Sequence, residues 1–223
     1  MLRDKLRGWL HRVEGWVFYK LLRGIKEKRV KVFAEALRPV AGDWLLDIGA
    51  GGGDFWREFG AAAGLSPSSL RMVGVDLNPV ADYAVFRWRL VADGRRLPFK
   101  DGAFDIVFSN SVIEHVGDLE QQRKMAAEVQ RVGRRYFVQV PAKYFPIEPH
   151  YFLPFLSYLP VRWRVAITRG IFGVAEPIHL PTHKVVKLLF PDATIKREKM
   201  FGMTKAFLIV KAEGVCTAGR KSI

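Results

Sequence analysis

The chain has a single cysteine, Cys216, among its 223 residues, which excludes an intramolecular disulfide and any thiolate-rich metal site. A reducing, cytoplasmic setting is the default that follows. Long apolar runs are also missing: the longest stretch without a formal charge, residues 149–161, is 13 residues broken by three prolines, against the roughly 20 apolar residues of a membrane span. No transmembrane helix is expected. The first residues lack a signal-peptide pattern, because Arg3, Lys5, Arg7 and Arg12 recur there and no unbroken apolar segment follows. Acidic residues are scarce, with 36 Lys and Arg against 22 Asp and Glu and a net charge of +14, yet 49% of residues are apolar and 13% aromatic. That apolar content excludes a disordered chain. The length suits one domain plus a small appendage.

The positive charge is unevenly placed, because residues 1–38 hold eleven Lys and Arg and four Asp and Glu, half of the total excess. Leu6, Trp9, Leu10, Val13, Trp16 and Val17 recur at spacings of three and four, which describes a basic amphipathic helix. A second helix is expected over 25–37, stopping at Arg38-Pro39 because the residue before proline disfavours helical geometry. Three roles stay open for residues 1–38: packing on the main domain, a lid over the site, or an interfacial contact with anionic lipid. Nucleic acid is disfavoured as a partner, since neither zinc-finger spacing nor an aromatic-glycine RNA-binding motif is present.

From residue 41 short apolar runs alternate with helical segments. Strands are expected at Trp44-Leu45-Leu46-Asp47-Ile48, at 72–76, 89–93, 104–110 and 135–140, with helices over 54–63 and 119–132. This alternation implies right-handed crossovers and a parallel sheet with helices on both faces, whose ligands bind beyond the carboxyl ends of the strands. Residues 141–180, rich in proline and aromatics, interrupt the pattern. A helix over 182–190 and a hairpin of strands 193–200 and 205–211, turning at Phe201-Gly202-Met203-Thr204, complete the domain. Residues 214–223 read as a flexible tail.

After the first strand comes Gly49-Ala50-Gly51-Gly52-Gly53, a loop that lets the backbone approach a ligand without Cβ interference. A dinucleotide fingerprint beginning at Gly49 needs glycine at position 54, where Asp54 stands, and no Gly-Lys-Ser/Thr follows for a phosphate loop. The ligand next to this loop is therefore expected to carry a cationic or zwitterionic group. Asp76, at the end of the second strand, can accept both hydroxyls of an unphosphorylated ribose. Asp93 is placed for the exocyclic amine of a base, and Asp47 either holds the loop or faces an ammonium. Together they describe a site for an adenosine with a positively charged substituent.

Leu45-Leu46-Asp47-Ile48-Gly49-Ala50-Gly51-Gly52-Gly53, Val73-Gly74-Val75-Asp76-Leu77-Asn78-Pro79, Ala92-Asp93-Gly94-Arg95-Arg96-Leu97-Pro98-Phe99 and Phe104-Asp105-Ile106-Val107-Phe108-Ser109-Asn110-Ser111-Val112-Ile113-Glu114-His115 stand in this order. In these stretches the chain resembles the class I S-adenosylmethionine-dependent methyltransferases, in the small-molecule, quinone-biosynthesis-like (type 11) branch. The resemblance covers residues 40–140 well and the C-terminal hairpin by pattern. It implies an α/β, Rossmann-like seven-stranded sheet of order 3-2-1-4-5-7-6 with strand 7 antiparallel and helices on both faces. It also implies S-adenosyl-L-methionine as cofactor, with Gly49, Gly51 and Gly53 at the methionine part and Asp76 at the ribose. Asp93 and Gly94 would face the adenine, Ser109 or Asn110 would lie beside the methionyl group, and Asp47, Ala50 and Leu77 complete the expected set. The domains then read as N-terminal helices 1–38, a methyltransferase domain 39–213 with an acceptor-site cap at 141–180, and the tail.

Methyl transfer from a sulfonium is an in-line displacement, so alignment supplies much of the acceleration. A hydroxyl acceptor would add the need for a general base. His150, His115 and Glu148 are the candidates, each with a structural role as its alternative. His179 and His183 have the wrong spacing for a one-turn metal pair and no carboxylate cluster beside them, so no metal is expected. Tyr144, Phe145, Tyr151, Phe152, Phe155, Tyr158 and Trp163 make the cap aromatic. It is read as a small helical core of its own, as a pocket for an apolar or lipid-like acceptor, or as both, with Arg162, Arg164 and Arg169 near an interface or anionic head group. The first function expected is methyl transfer to a small, apolar or lipid-like acceptor, with possible peripheral membrane contact through 1–38 or 150–164. A methyltransferase of RNA or another macromolecule and a non-catalytic S-adenosylmethionine-binding protein are its alternatives. Against the former, Ser109-Asn110-Ser111-Val112 stands where base-amine methyltransferases carry an Asn/Asp-Pro-Pro-aromatic motif.

Overall fold

The computed structural model describes residues 17–64, 66–79, 85–148, 150–151, 153–173 and 177–212. The apolar face expected at Leu6 to Trp16, Phe152 of the cap, Cys216 and the tail lie outside them. The strands β1 (Trp44–Ile48), β2 (Arg71–Asp76), β3 (Trp88–Val91), β4 (Phe104–Asn110), β5 (Gly133–Pro141), β6 (Thr194–Met200) and β7 (Met203–Lys211) form one sheet of order β3-β2-β1-β4-β5-β7-β6. The first five run parallel; β7 is antiparallel to β5 and to β6. This is the expected strand order of the Rossmann-like methyltransferase fold.

Alternation along the strands sorts the core onto two faces. Leu46, Val107, Tyr136 and Val138 point to one side, where Met125, Val129 and Val132 of α3 (Leu119–Val132) and Val186 of α5 (His183–Leu189) cover them. Leu45, Ile106, Phe108 and Phe137 point to the other, against Val30, Phe33 and Leu37 of α1 (Val17–Leu37) and Trp56 and Phe59 of α2 (Asp54–Phe59). Phe33 meets Trp56, Phe108 and Phe137 edge-on, a geometry worth about 0.5–1.5 kcal/mol per pair beyond the buried area.

The elements depart from expectation at particular residues. α1 begins at Val17 and passes through Gly24, where no atom lies within 4 Å of a would-be Cβ. One glycine costs a helix about 1 kcal/mol, too little to break one that packs a continuous face. Arg38 ends it in the left-handed region (φ 46°) before Pro39. α3 keeps its expected bounds because Asp118 caps it, accepting from the amides of Glu120 and Gln121. β3 ends at Val91, leaving Asp93 in the following turn, and the hairpin turn is only Phe201-Gly202, both at positive φ. Met203 and Thr204 belong instead to β7, paired with Met200 and Lys199. Residues 141–180 hold a short 3-10 turn at Leu156–Tyr158 and α4 (Val161–Phe172), in which Thr168 is the buried residue. No helix among the described residues is long and apolar enough to cross a membrane.

Candidate functional site

The carboxyl ends of β1, β2 and β4 lie side by side, with Ile48 in register with Val75 and Ser109. Between them the chain turns through Gly49 (φ 75°) and Gly51 (φ 49°). A Cβ on Gly49 would stand 2.2 Å from Val112 Cγ2, whereas nothing lies within 4 Å of the corresponding position on Gly51. Gly49 therefore closes the loop against the segment after β4, and Gly51 faces open space. The Gly49 and Ala50 amides donate to the Val75 carbonyl at 2.8 and 3.1 Å. Asp76 Oδ2 accepts from the Gly51 amide at 3.0 Å and Oδ1 from the Asn78 amide at 3.1 Å. The result is a cleft of about 170 Å³ lined by Ala50, Gly51, Asp76, Asn78, Leu90 and Val91. Leu77 beside it is 62% exposed. Gly53, at φ 73°, starts α2 and is crowded by Phe86 at 3.0 Å from a would-be Cβ.

Asp47 lies beneath the loop, almost wholly buried, where its Oδ2 accepts from Trp56 Nε1 at 2.8 Å. Burial pushes its pKa up to about 7; the Trp56 bond opposes the rise and the charge of Asp76 adds to it. The carboxyl thus ties α2 to β1 and is poised to ionise fully once a cation arrives nearby. Asp93 is held differently: both its oxygens take the Arg95 guanidinium at 2.6–2.9 Å, which keeps its pKa below the ordinary carboxylate value. Arg95 also donates to the Val116 carbonyl and to Gln121 Oε1, so Asp93 anchors the segment after β4. Gly94 packs on the end of β1, since a Cβ there would meet Ile48 Cγ2 at 2.9 Å.

Ser109 and Asn110 are engaged within the fold. Ser109 is fully buried and donates to the Ile48 carbonyl at 3.2 Å. Asn110 Oδ1 accepts from Arg29 Nη1 at 2.6 Å, and the same guanidinium binds Gln139 Oε1 and both carboxylate oxygens of Glu198. Arg29, 4% exposed, was not among the expected site residues. Its signal was a cation four residues before Phe33 and eight before Leu37, on the buried face of α1.

The three acceptor-side candidates come together although 35 residues separate the two histidines. His150 Nδ1 meets Glu148 Oε1 at 2.7 Å, and Glu148 Oε2 accepts from the His150 and Tyr151 amides, both at 2.7 Å. The Nε2 atoms of His150 and His115 are 3.1 Å apart. Glu114, which was not among the expected site residues, is fully buried beneath them. Burial pulls the His150 pKa down, but Glu114 and Glu148 outweigh it and raise the group to about 9. Without another cation His150 therefore holds a proton at neutral pH, which makes it a poor general base.

Parallel strands, a glycine loop at the topological switch point and an acidic end to β2 define the nucleoside-binding class I methyltransferase fold. Residues 46–136 match the family profile of the methyltransferase domain. Over 204 residues the chain is 27% identical to the ubiquinone/menaquinone biosynthesis C-methyltransferase UbiE of Chromobacterium violaceum, spanning 86% of this chain and 77% of that relative. Among solved structures, a SAM-dependent methyltransferase from Methanosarcina mazei superposes with a TM-score of 0.52 at 18% identity, over 80% of this chain and 95% of the other. The Burkholderia thailandensis 1,6-didemethyltoxoflavin-N1-methyltransferase, with bound S-adenosylhomocysteine, gives 0.53 at 14% identity over 94% and 85%. These two likenesses concern the fold. Residues 46–136 thus match a methyltransferase domain, and over most of its length the chain is similar to a C-methyltransferase.

Proposed function

We propose that the protein methylates a small, apolar or lipid-like acceptor held between the glycine loop and the cap of residues 141–180. Bound S-adenosylmethionine supplies an electrophilic methyl group on a sulfonium. Asp76 is assigned to the ribose hydroxyls and Leu77 to the adenine face. Gly49, Ala50, Gly51 and Gly53 are assigned to the methionine part, with Asp47 supplying negative charge beneath it. The open space at Gly51 and the carboxylate of Asp76 in one cleft support this assignment. For Asp93, Gly94, Ser109 and Asn110 a positioning role is proposed, since their side chains or turns hold the strand ends in place.

The observation that carries the acceptor class is the cap, where Tyr144, Phe155, Tyr158 and Trp163 are 59%, 63%, 48% and 57% exposed. Aromatic side chains left uncovered at this density favour an apolar ligand or the head-group region of a membrane. Arg162 and Arg169 stand on the same helix as Trp163 and suit an anionic surface. We accordingly propose a cytoplasmic enzyme that touches the membrane peripherally through the cap. His115, His150 and Glu148 form the polar wall at which the acceptor's nucleophilic atom is oriented. Displacement forms a bond from that atom to the methyl carbon and breaks the sulfur–methyl bond, whose electron pair stays on sulfur; a hydroxyl acceptor's proton leaves to solvent. The test is incubation with methyl-labelled S-adenosylmethionine and separate lipid, quinol and RNA fractions. Label entering an organic-extractable lipid or quinol supports the reading, and label entering only RNA contradicts it.

A further inference from the structure

Glu114 is 0% exposed, and neither of its carboxylate oxygens has a hydrogen-bond partner among the described residues. A fully buried carboxylate that makes no hydrogen bond and meets two imidazoles only at 3.8 and 4.0 Å is poorly compensated for its lost hydration, and a cation between the three groups would replace those long ion pairs with direct bonds. Three atoms frame the place for it. Glu114 Oε1 lies 3.8 Å from His150 Nε2 and 4.0 Å from His115 Nε2, and the two nitrogens are 3.1 Å apart. A triangle with those sides has a centre about 2.1 Å from each corner, which is the length of a zinc–nitrogen or zinc–oxygen bond.

We propose that Glu114, His115 and His150 bind one divalent first-row transition cation. The donor set, two imidazole nitrogens and one carboxylate oxygen without sulfur, suits zinc, cobalt(II), manganese or iron(II) better than copper(I), which prefers thiolates and thioethers. Glu148 supports it from outside: its bond to His150 Nδ1 leaves Nε2 directed at the triangle, and its own second oxygen is fixed by two backbone amides. A carboxylate behind a ligating histidine both orients the ring and raises its basicity. The side chains of His115 and His150 are 29% and 20% exposed above the buried Glu114, so the cation has an open side. Three protein ligands with an open position are the arrangement of reactive metal centres, whereas structural ones are closed. The expectation of no metal had rested on His179 and His183, which take no part.

This role rests on the methyl-transfer reading. On the open side the cation would take an acceptor oxygen and lower its pKa, so that the deprotonated oxygen attacks the methyl group while its proton leaves to solvent. His150 then serves as a ligand and not as a base.

Binding is tested on the full chain, stripped with a chelator and kept free of S-adenosylmethionine, by titration with cobalt(II) and zinc. Calorimetry and the visible absorption of the cobalt complex are the readouts. One equivalent is expected, lost in His150→Ala and Glu114→Gln, weakened about 10–100-fold in Glu148→Gln, and retained in Asp76→Ala. If Glu114→Gln does not fold, His115→Ala, at a partly exposed position, replaces it. Absence of stoichiometric binding to the wild type, or binding unchanged in both ligand variants, overturns the site. Cofactor calorimetry on the same stripped protein reports separately on the methyl-transfer reading.

Discussion

The proposed nucleoside half of the site and its proposed acceptor half are built on different terms. Around β1, β2 and β4 the polar side chains are bonded within the fold: Asp47 to Trp56, Asp93 to Arg95, Asn110 to Arg29 and Asp76 to the amides of Gly51 and Asn78. In the other half, Glu114, Ser157 and Arg164 each carry a buried side-chain atom without a hydrogen-bond partner, and among the described residues no others do. Buried unpartnered atoms are few in native proteins and call for an explanation. On the proposed function, the contrast is between a cradle formed in advance for a constant cofactor and a region completed by what it binds. Cofactor recognition gains from preorganisation, which lowers the ordering cost of binding.

The largest effect expected from breaking the bonded half is at Arg29. Arg29→Ala leaves the nearly buried Glu198 with Lys205 Nζ at 3.9 Å in place of two short guanidinium bonds and strips Asn110 and Gln139 of a donor. Denaturant unfolding should show a loss of about 3–5 kcal/mol; a loss below 1 kcal/mol would mean that the network is not part of the stability of this half.

Gly49→Ala should cost about 2–4 kcal/mol, because alanine at φ 75° is strained and its Cβ falls on Val112. A cofactor affinity unchanged in this variant would contradict the close contact between the loop and the segment after β4.

Asp47 sharpens the comparison through pH. Its folded pKa of about 7 exceeds the ordinary carboxyl value of 3.8, so the unfolded chain releases this proton first as pH rises. Stability therefore falls between about pH 4 and 7 and the penalty stays constant above. Asp47→Asn, which keeps an acceptor for Trp56, should match the wild type near pH 4 and exceed it by a few kcal/mol at pH 8. Parallel pH profiles for the two proteins would remove the assigned burial effect.

The smallest effect is expected in the cap. Phe155→Ser and Trp163→Ser replace exposed side chains, so thermal stability should change by less than about 0.5 kcal/mol. Flotation with anionic liposomes should fall several-fold, and equal flotation would argue that the cap does not touch the membrane.

What could be read from the sequence follows the range of the interactions involved. The strands were legible because Leu45-Leu46, Ile106-Val107-Phe108 and Phe137-Val138 are buried on both faces and read as apolar runs. α3 was legible because its cap is local, Asp118 bonding its own next residues. β3 was set too far along because Asp93 looked like a third acidic strand end, when its bond to Arg95 belongs to a turn. The histidine cluster could not be found by spacing. His115 follows β4 and His150 follows β5, and only the parallel pairing of those strands carries the two segments to the same end of the sheet. Even so, Glu114-His115, four and five residues after the end of β4, was a visible signal, a carboxylate and an imidazole near a strand end where ligands bind.

The cleft between Gly51 and Asp76 is the proposed nucleoside site. Calorimetry with S-adenosylmethionine tests this most directly, with wild type and Asp76→Ala compared at equal stability. One-to-one binding that weakens at least tenfold in the variant is predicted. No binding to the folded wild type, or equal affinity in both proteins, would contradict it.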